Sequence, residues 1–263
     1  MYSFRYTLSI FLTAVRKELI QQLRTKRFLV ILAVFLLLGL ASPMLNKVTP
    51  ELTKLDPDGA KIAELLPVPT AVDALSGYVQ MISTFGFILA IIFGMGAIAG
   101  EKESGTAAMT LSKPMPRWVF VLSKFTSQVL VYTLAFLVSG MAVYYGTVVL
   151  FGPVEVFTVL KIDMLLLLSF ITYASMEILA SVLGKSIAVA AGIGLGLFVL
   201  IGFTRNIPYI GKWTPSGLMV RAVNLAVNAD QVTVDPRAIV GTLVLILAFL
   251  IASTAIFERQ EIG

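Results

Sequence analysis

From residue 28 onward the chain alternates long apolar runs with short segments that hold most of its charge. A helix needs roughly 20 mostly apolar residues to cross the hydrocarbon of a bilayer. Six stretches approach that length: 28–46, 79–99, 126–151, 163–183, 186–203 and 237–256. The fourth and fifth are separated by the tight turn Gly184-Lys185 and form the least sharply bounded pair. Ahead of the first, residues 3–25 carry a different pattern. Phe4, Leu8, Phe11, Leu12, Val15, Leu19 and Leu23 recur with the period of a helix, while Arg5, Arg16, Lys17, Gln21 and Arg24 fall on other faces. This reads as a basic amphipathic helix lying along a membrane surface. Residues 28–42 also resemble the apolar core of a secretory signal, but a long structured basic segment in front of such a core is unusual.

Between the apolar runs lie two long loops, 47–78 and 204–236. The first is rich in Pro and acidic residues, including Pro50, and a short helix is expected from Asp58 to Leu66. The second holds Pro208, Trp213 and Pro215, with a short helix expected from Ser216 to Asn228. Asp235-Pro236 makes a good start for the last helix, with the Asp as cap and the Pro at the first position. No repeat, low-complexity tract or linker divides the chain, so residues 1–263 are expected to form one domain.

Composition agrees. Of 263 residues, 58% are hydrophobic and 13% charged, against about 25% charged in soluble domains; mean hydropathy is +0.93. The fold class expected is an all-α membrane protein of about six transmembrane helices. There is no Cys and no His, so thiolate or imidazole zinc sites and His-dependent triads are excluded. The net charge of +5 reads as membrane topology rather than nucleic-acid binding. If the N-terminus is cytoplasmic, twelve of the 20 basic residues fall on that side, six of them (Arg5, Arg16, Lys17, Arg24, Lys26 and Arg27) beside the first span. The positive-inside rule then places both termini in the cytoplasm of a multi-pass cell-membrane protein.

The segment richest in information follows the second span: Gly100-Glu101-Lys102-Glu103-Ser104-Gly105-Thr106, then Leu111, Lys113-Pro114-Met115-Pro116-Arg117, and on to Lys124. Its acidic start suits a helix N-terminus, and Pro114 and Pro116 end that helix. Gly100 to Gly105 falls short of a phosphate loop, which needs Lys where Thr106 stands and a strand in front. Any ATP hydrolysis therefore belongs to another subunit.

From Glu101 through Gly105-Thr106, Leu111 and Pro114 to Arg117 and Lys124, this segment resembles the permease subunits of type-two ABC transporters. Within that family it is most similar to the small permeases of multicopper-enzyme maturation, sodium export and drug export. Ser123, where many members have Gly, and Met115, where Ser or Gly often stands, are departures. The resemblance implies a six-span permease that pairs with a second permease, identical or sister, and with two ATPase subunits that carry ATP and Mg. It also implies that the segment is a coupling helix docking on the ATPase, with Glu101, Glu103 and Arg117 as polar contacts or as residues that hold the hairpin, and that the N-terminal helix makes a second contact. No cofactor is expected on this chain itself, nor any metal or nucleic acid.

Three further features stand out. Glu177 is read as the only acid well inside a span, marking either a cation path or a structural pair with Lys185. The spacings Gly192/Gly196 and Gly96/Gly100 favour close helix packing, within one subunit or between permeases. Trp118, Tyr209 and Trp213 read as interfacial anchors. The ten Met residues are scattered, which suits gap-filling better than a soft-metal path. The scarcity of polar groups in the spans points to a lipidic, amphipathic or polymeric cargo. An anchor that couples an ATPase to an extracytoplasmic partner without transport is the alternative function, its binding surface lying in the two long loops. An intramembrane enzyme is a poorer one, since the spans offer it no convergent acid-base groups.

Overall fold

The structure, a computed structural model, describes residues 4–55, 67–207, 209–228 and 236–261. Among them all regular structure is helical: α1 (Phe4–Arg24), α2 (Arg27–Thr53), α3 (Ala71–Met81), α4 (Phe87–Gly94), α5 (Ala99–Glu103), α6 (Thr106–Leu111), α7 (Arg117–Phe151), α8 (Val156–Leu183), α9 (Ile187–Phe203), α10 (Pro215–Val227) and α11 (Pro236–Arg259). Among the described residues, six stretches are long and apolar enough to span a membrane: α2, the run Ala71–Glu103, α7, α8, Ile187–Asn206 and α11. The helix expected at residues 58–66 and the Asp235 cap lie outside the described residues, as does Pro208. The helix expected at 216–228 is α10.

The spans are longer than their apolar runs. The first continues through Pro43 and Pro50 to Thr53, the second begins at Ala71, the third at Arg117 and the fourth at Val156, while the last reaches Arg259. At about 1.5 Å per residue, the 35 residues of α7 extend well beyond a hydrocarbon core of roughly 30 Å. Apolar content marks only the part inside lipid. The helix goes on into water because each further turn satisfies backbone groups that would otherwise be left open. Pro50 therefore does not begin a loop: it sits within the final turn of a helix that has already formed.

The second span is not continuous. A wider π turn at Ile82–Gly86 separates α3 from α4, and the chain turns again at residues 95–98 before α5. Such turns occur where a helix must re-aim its side chains. Here Gly86 faces the ring of Phe170, whose Cζ would stand 2.6 Å from an added Cβ.

Phe170, fully buried on α8, is the hub of the interior. Its ring meets Phe87 in a stack at 4.7 Å, and Phe136 at 5.0 Å, Phe35 at 5.6 Å and Tyr132 at 5.7 Å edge-on. Rings from α2, α4 and α7 thus converge on one helix. In lipid, where no hydrophobic force drives helices together, close van der Waals contact and small residues hold them. Gly39 of α2 lies against the Ser139 carbonyl of α7, 2.5 Å from where its Cβ would be, and Gly146 of α7 receives the ring of Pro43. By contrast, Gly192 and Gly196 on α9 meet nothing within 4 Å and face out of the bundle, whereas Gly96 and Gly100 lie beside Ile187. Packing of the Gly192/Gly196 stripe within the subunit is thus not what the fold provides.

The α2–α7 contact yields a test. Gly39→Leu should destabilise the protein by about 1–3 kcal/mol, as overpacking does, and reduce the monodisperse fraction in size-exclusion chromatography. Gly202→Leu, at an exposed glycine that meets nothing within 4 Å, should leave that profile unchanged. Equal tolerance of both would contradict this packing.

Candidate functional site: the charged face between the second and third spans

The residues singled out between Glu101 and Lys124 gather on the end of the bundle that also carries α1 and the last turn of α11. Lys124, about two turns into α7, is only 3% exposed. Its ammonium bonds Glu101 Oε1 at 2.6 Å and both carboxylate oxygens of Glu18 at 3.1 Å. Lys17 adds bonds to Glu18 at 3.0 Å and Glu101 at 3.5 Å. The four charges sum to zero and join α1, α5 and α7. A buried ion is tolerated only when paired and hydrogen-bonded, and all three Lys124 donors are used. Burial works against the Lys17 ammonium, but the Glu18 and Glu101 carboxylates outweigh it and hold its pKa above the ordinary 10.5. A raised amine pKa adds stability that is complete below 10.5 and fades only as pH rises through the higher folded value. The attachment of α1 therefore persists at neutral pH and weakens in strong alkali.

Three other charges of the segment each close a different helix end. Arg117 donates to the carbonyls of Phe257, Glu258 and Gln260, at 3.2, 2.9 and 2.6 Å. These belong to the C-terminus of α11, where orphan carbonyls and the helix dipole favour a cation. Phe120 stacks on Phe257 at 5.2 Å beside this cap. Lys102 donates to the carbonyls of Val182 and Gly184, at the end of α8. Glu103 accepts the backbone N–H of Ile187 at 2.9 Å, at the start of α9, where a carboxylate suits the positive helix end. In return, Ser181 of α8 accepts the N–H groups of Ile98 and Ala99 at 2.9 and 2.8 Å, opening α5. Between α5 and α6 the backbone turns at Gly105 with φ of 72°, a left-handed conformation that glycine adopts without strain. Thr106 opens α6 and donates to the Glu101 carbonyl at 3.3 Å. Leu111 packs into a small core with Ile98, Phe120, Val182 and Phe257. Pro114 stands exposed at the tip, in the turn before α7.

Glu177 does not belong to this group. It is fully buried within α8, between Gly94 of α4 and Gly194 of α9, and neither of its oxygens has a hydrogen-bond partner among the described residues. The expected pairing with Lys185 is not made, since Lys185 is exposed beyond the helix end. Nor is Glu177 the only acid inside a span. Because α8 begins at Val156, Asp163 also lies within it, buried, accepting from the Tyr78 hydroxyl at 2.7 Å against Gly140. Polar side chains are more frequent inside the spans than apolar content suggests. Ser169, Thr172 and Ser175 on α8 are all buried, but each hydroxyl bonds a carbonyl of its own helix.

The amphipathic reading of α1 is also revised. Val15 and Glu18 turn into the bundle, while Leu8, Leu12 and Leu23 stay exposed. Sequence reasoning missed Glu18 because it sorted charged residues away from the apolar stripe. The signal was present: Phe11, Val15, Glu18 and Gln22 follow 4-3-4 spacing, so the acid sits on the inward face. Lys102 and Ser181 carried no comparable signal.

These features define a multi-pass helical membrane protein in which one charged segment ties together helix ends from across the bundle. A family model described as "ABC-2 family transporter protein" matches residues 12–262, and the chain belongs to that family. Membership implies an ATPase partner and a membrane setting. The chain is also 21% identical over 258 residues to the protein titled "Uncharacterized transmembrane protein YxlG" of Bacillus subtilis (strain 168), an alignment covering 97% of this chain and 99% of that one.

The ion cluster makes a quantitative prediction. Lys124→Met leaves two buried carboxylates with only the half-exposed Lys17 ammonium between them and should cost about 3–5 kcal/mol, as removing one partner of a buried pair does. Thermal unfolding in detergent measures this, and a loss below about 1 kcal/mol, the range of an exposed pair, would refute the geometry.

Proposed function

We propose that this chain is the membrane-spanning permease subunit of an ATP-driven ABC exporter, coupling ATP hydrolysis by separate ATPase subunits to movement of a substrate across the cell membrane. The observation that carries the reading is the charged segment itself. Its charges hold α1, α8, α9 and α11, so a displacement of α6 is passed to four helices at once. Glu101, Glu103, Arg117 and Lys124 act as internal ties, and the surface offered to an ATPase is the outer side of α6, where Met109 is 74% exposed. Exporter direction rests on family resemblance. Cytoplasmic placement of both termini is supported by the excess of basic residues on their side. The catalytic work, with ATP and Mg, falls to two copies of the ATPase, and this chain is non-catalytic.

A second permease, identical or sister, completes the path. The outward face of α9, with Gly192 and Gly196 open and Leu195, Val199 and Leu200 exposed, supports pairing there.

Two experiments test these statements. The tagged protein is purified in mild detergent and co-purifying ATPase is quantified. Met109→Glu should reduce the ATPase recovered by about tenfold, the effect of about 1.4 kcal/mol at an interface, without altering thermal stability, whereas Glu101→Lys should lower both. Absence of any ATPase across several detergents would remove the exporter reading. For pairing, the natural chain has no cysteine, so Gly196→Cys provides a single oxidisable site. Disulfide-linked dimers in native membranes are expected, and their absence, with an outward-facing control on α2 equally silent, would argue for pairing through another face.

A further inference from the structure

A cavity of about 340 Å³ opens between the second span, α8, α9 and α10. That lies within the range of small-molecule sites, about 300–1,000 Å³. It stands toward the end of the bundle away from α1, since α9 starts beside Glu103 and Arg205 follows its far end. The wide turn Ile82–Gly86 forms part of one wall, so that Gln80, Ser83, Thr84 and Phe87 all border the space. The floor is aromatic. The ring of Tyr173 packs on Phe87 at 4.4 Å and on Phe198 at 5.4 Å, and all three line the cavity. The mouth is at Arg205, which is exposed and lies about 10 Å along the chain direction of α9 from Phe198. Gly211 lies against the Arg205 backbone and Gly217 against Gly211, so Ser216 enters the cavity at the same end.

Two hydroxyls on buried residues border this space with nothing to bond. Ser216 is 7% and Tyr173 3% exposed, and neither hydroxyl has a hydrogen-bond partner among the described residues. They are not sealed in, as the unpartnered hydroxyls of Thr147 and Thr242 are. Each keeps accessible surface, on a residue that lines the cavity. The guanidinium of Arg205 also has no ion pair or hydrogen bond among the described residues, and no Asp or Glu is among those that line the cavity. Ser83 and Thr84 differ, since each donates to a carbonyl of its own helix, that of Val79 and of Gln80. The open groups are thus a cation and two hydroxyl donors, set in a lining that includes Phe198, Met219, Val220 and Val223. An unpaired donor in an apolar wall is costly, and a ligand oxygen relieves it. A guanidinium binds phosphate or carboxylate through paired N–H groups. An ammonium head group would meet a charge of its own sign there.

We propose that this cavity binds the anionic head group of an amphiphile. Its phosphate or carboxylate bonds the Arg205 guanidinium and the Ser216 hydroxyl at the mouth, and its hydrocarbon runs inward over Met219, Val223 and Phe198. The Tyr173 hydroxyl at the floor distinguishes two sources of that head group. A glycerophospholipid carries ester carbonyls beyond its phosphate that accept from Tyr173, whereas a fatty acid carries no second acceptor. The site rests on its own geometry and holds whether or not the chain moves cargo.

The test uses the full-length protein in a neutral glucoside detergent and mildly alkaline buffer, with bound ligands counted by native mass spectrometry. Two pairs are offered: laurate against dodecanol, and phosphatidylglycerol against phosphatidylcholine with the same acyl chains. In one pair or both, the anionic member should be retained about tenfold more, the effect of one charge-assisted hydrogen bond. Arg205→Gln should remove most of that preference and Arg205→Lys should keep part of it. Arg205 is exposed, so neither change disturbs the fold. Ser216→Ala should lower retention several-fold. Gly202→Leu sets a side chain at the cavity edge, where an added Cβ meets nothing within 4 Å, and should lower retention with the elution profile unchanged. A preference in the lipid pair makes the occupant a phospholipid, and Tyr173→Phe should then weaken it several-fold. A preference for laurate alone makes it a free fatty acid, and Tyr173→Phe should leave it intact. Equal retention within both pairs overturns the proposal. So does a preference that Arg205→Gln and Ser216→Ala leave unchanged, the anion then binding elsewhere.

Discussion

The ammonium of Lys124 is the point on which the charged face of this protein depends. It sits where α7 enters the bundle, almost without solvent, and its three protons reach two carboxylates from two other elements. A lone ammonium or carboxylate at that depth would be strongly disfavoured. Glu18 and Glu101 can therefore be buried only in the arrangement that brings α1 and α5 to α7. Hydrophobic packing in lipid discriminates weakly between neighbouring registers, whereas this cluster admits one. It fixes where the amphipathic helix lies against the spans and how the short helices after the second span are oriented.

Around that point, the ends of the helices follow one rule. Each long span must resolve the orphan groups of its last turn as it leaves the bilayer. The protein does this with side chains from a single segment: Arg117 at the end of α11, Lys102 at the end of α8 and Glu103 at the start of α9. Ser181 closes the circle by opening α5 from α8. The consequence is mechanical. The segment is joined through short polar bonds to helices distant in sequence, so it moves with them or not at all. Such a connection suits the proposed coupling to an ATPase partner, and the exposed side of α6 leaves a surface for that partner.

The membrane interior is organised differently. Phe170 gathers the rings of α2, α4 and α7, and glycines at Gly39, Gly86 and Gly140 let backbones or side chains come close. Asp163 is satisfied by Tyr78, while Glu177 is enclosed between two glycines without a partner among the described residues. The two acids lie on the same helix and within the same membrane, so their different states are set by neighbours on other helices and not by their own local sequence.

The sequence by itself determined the class of protein, the six spans, a helix ahead of them and the segment that carries the charge. Each of these rests on a local property: enough consecutive apolar residues to cross a bilayer, a helical period, a Pro-bounded polar run. It did not place span ends, because hydropathy reports where lipid stops and not where the helix stops; Thr53, Ala71 and Val156 are set by backbone bonding beyond the hydrocarbon. Only the tertiary structure decided what the charges do. Glu101 and Lys124 were visible as a motif, but Glu18, the second carboxylate on the Lys124 ammonium, stands 106 residues away in sequence. Arg117 reads as either a polar contact or a tie within its hairpin until α11 brings its carbonyls within reach. A charge's role in a low-dielectric site depends on which opposite charge or helix end lies a few ångströms away, and that distance is a property of the fold.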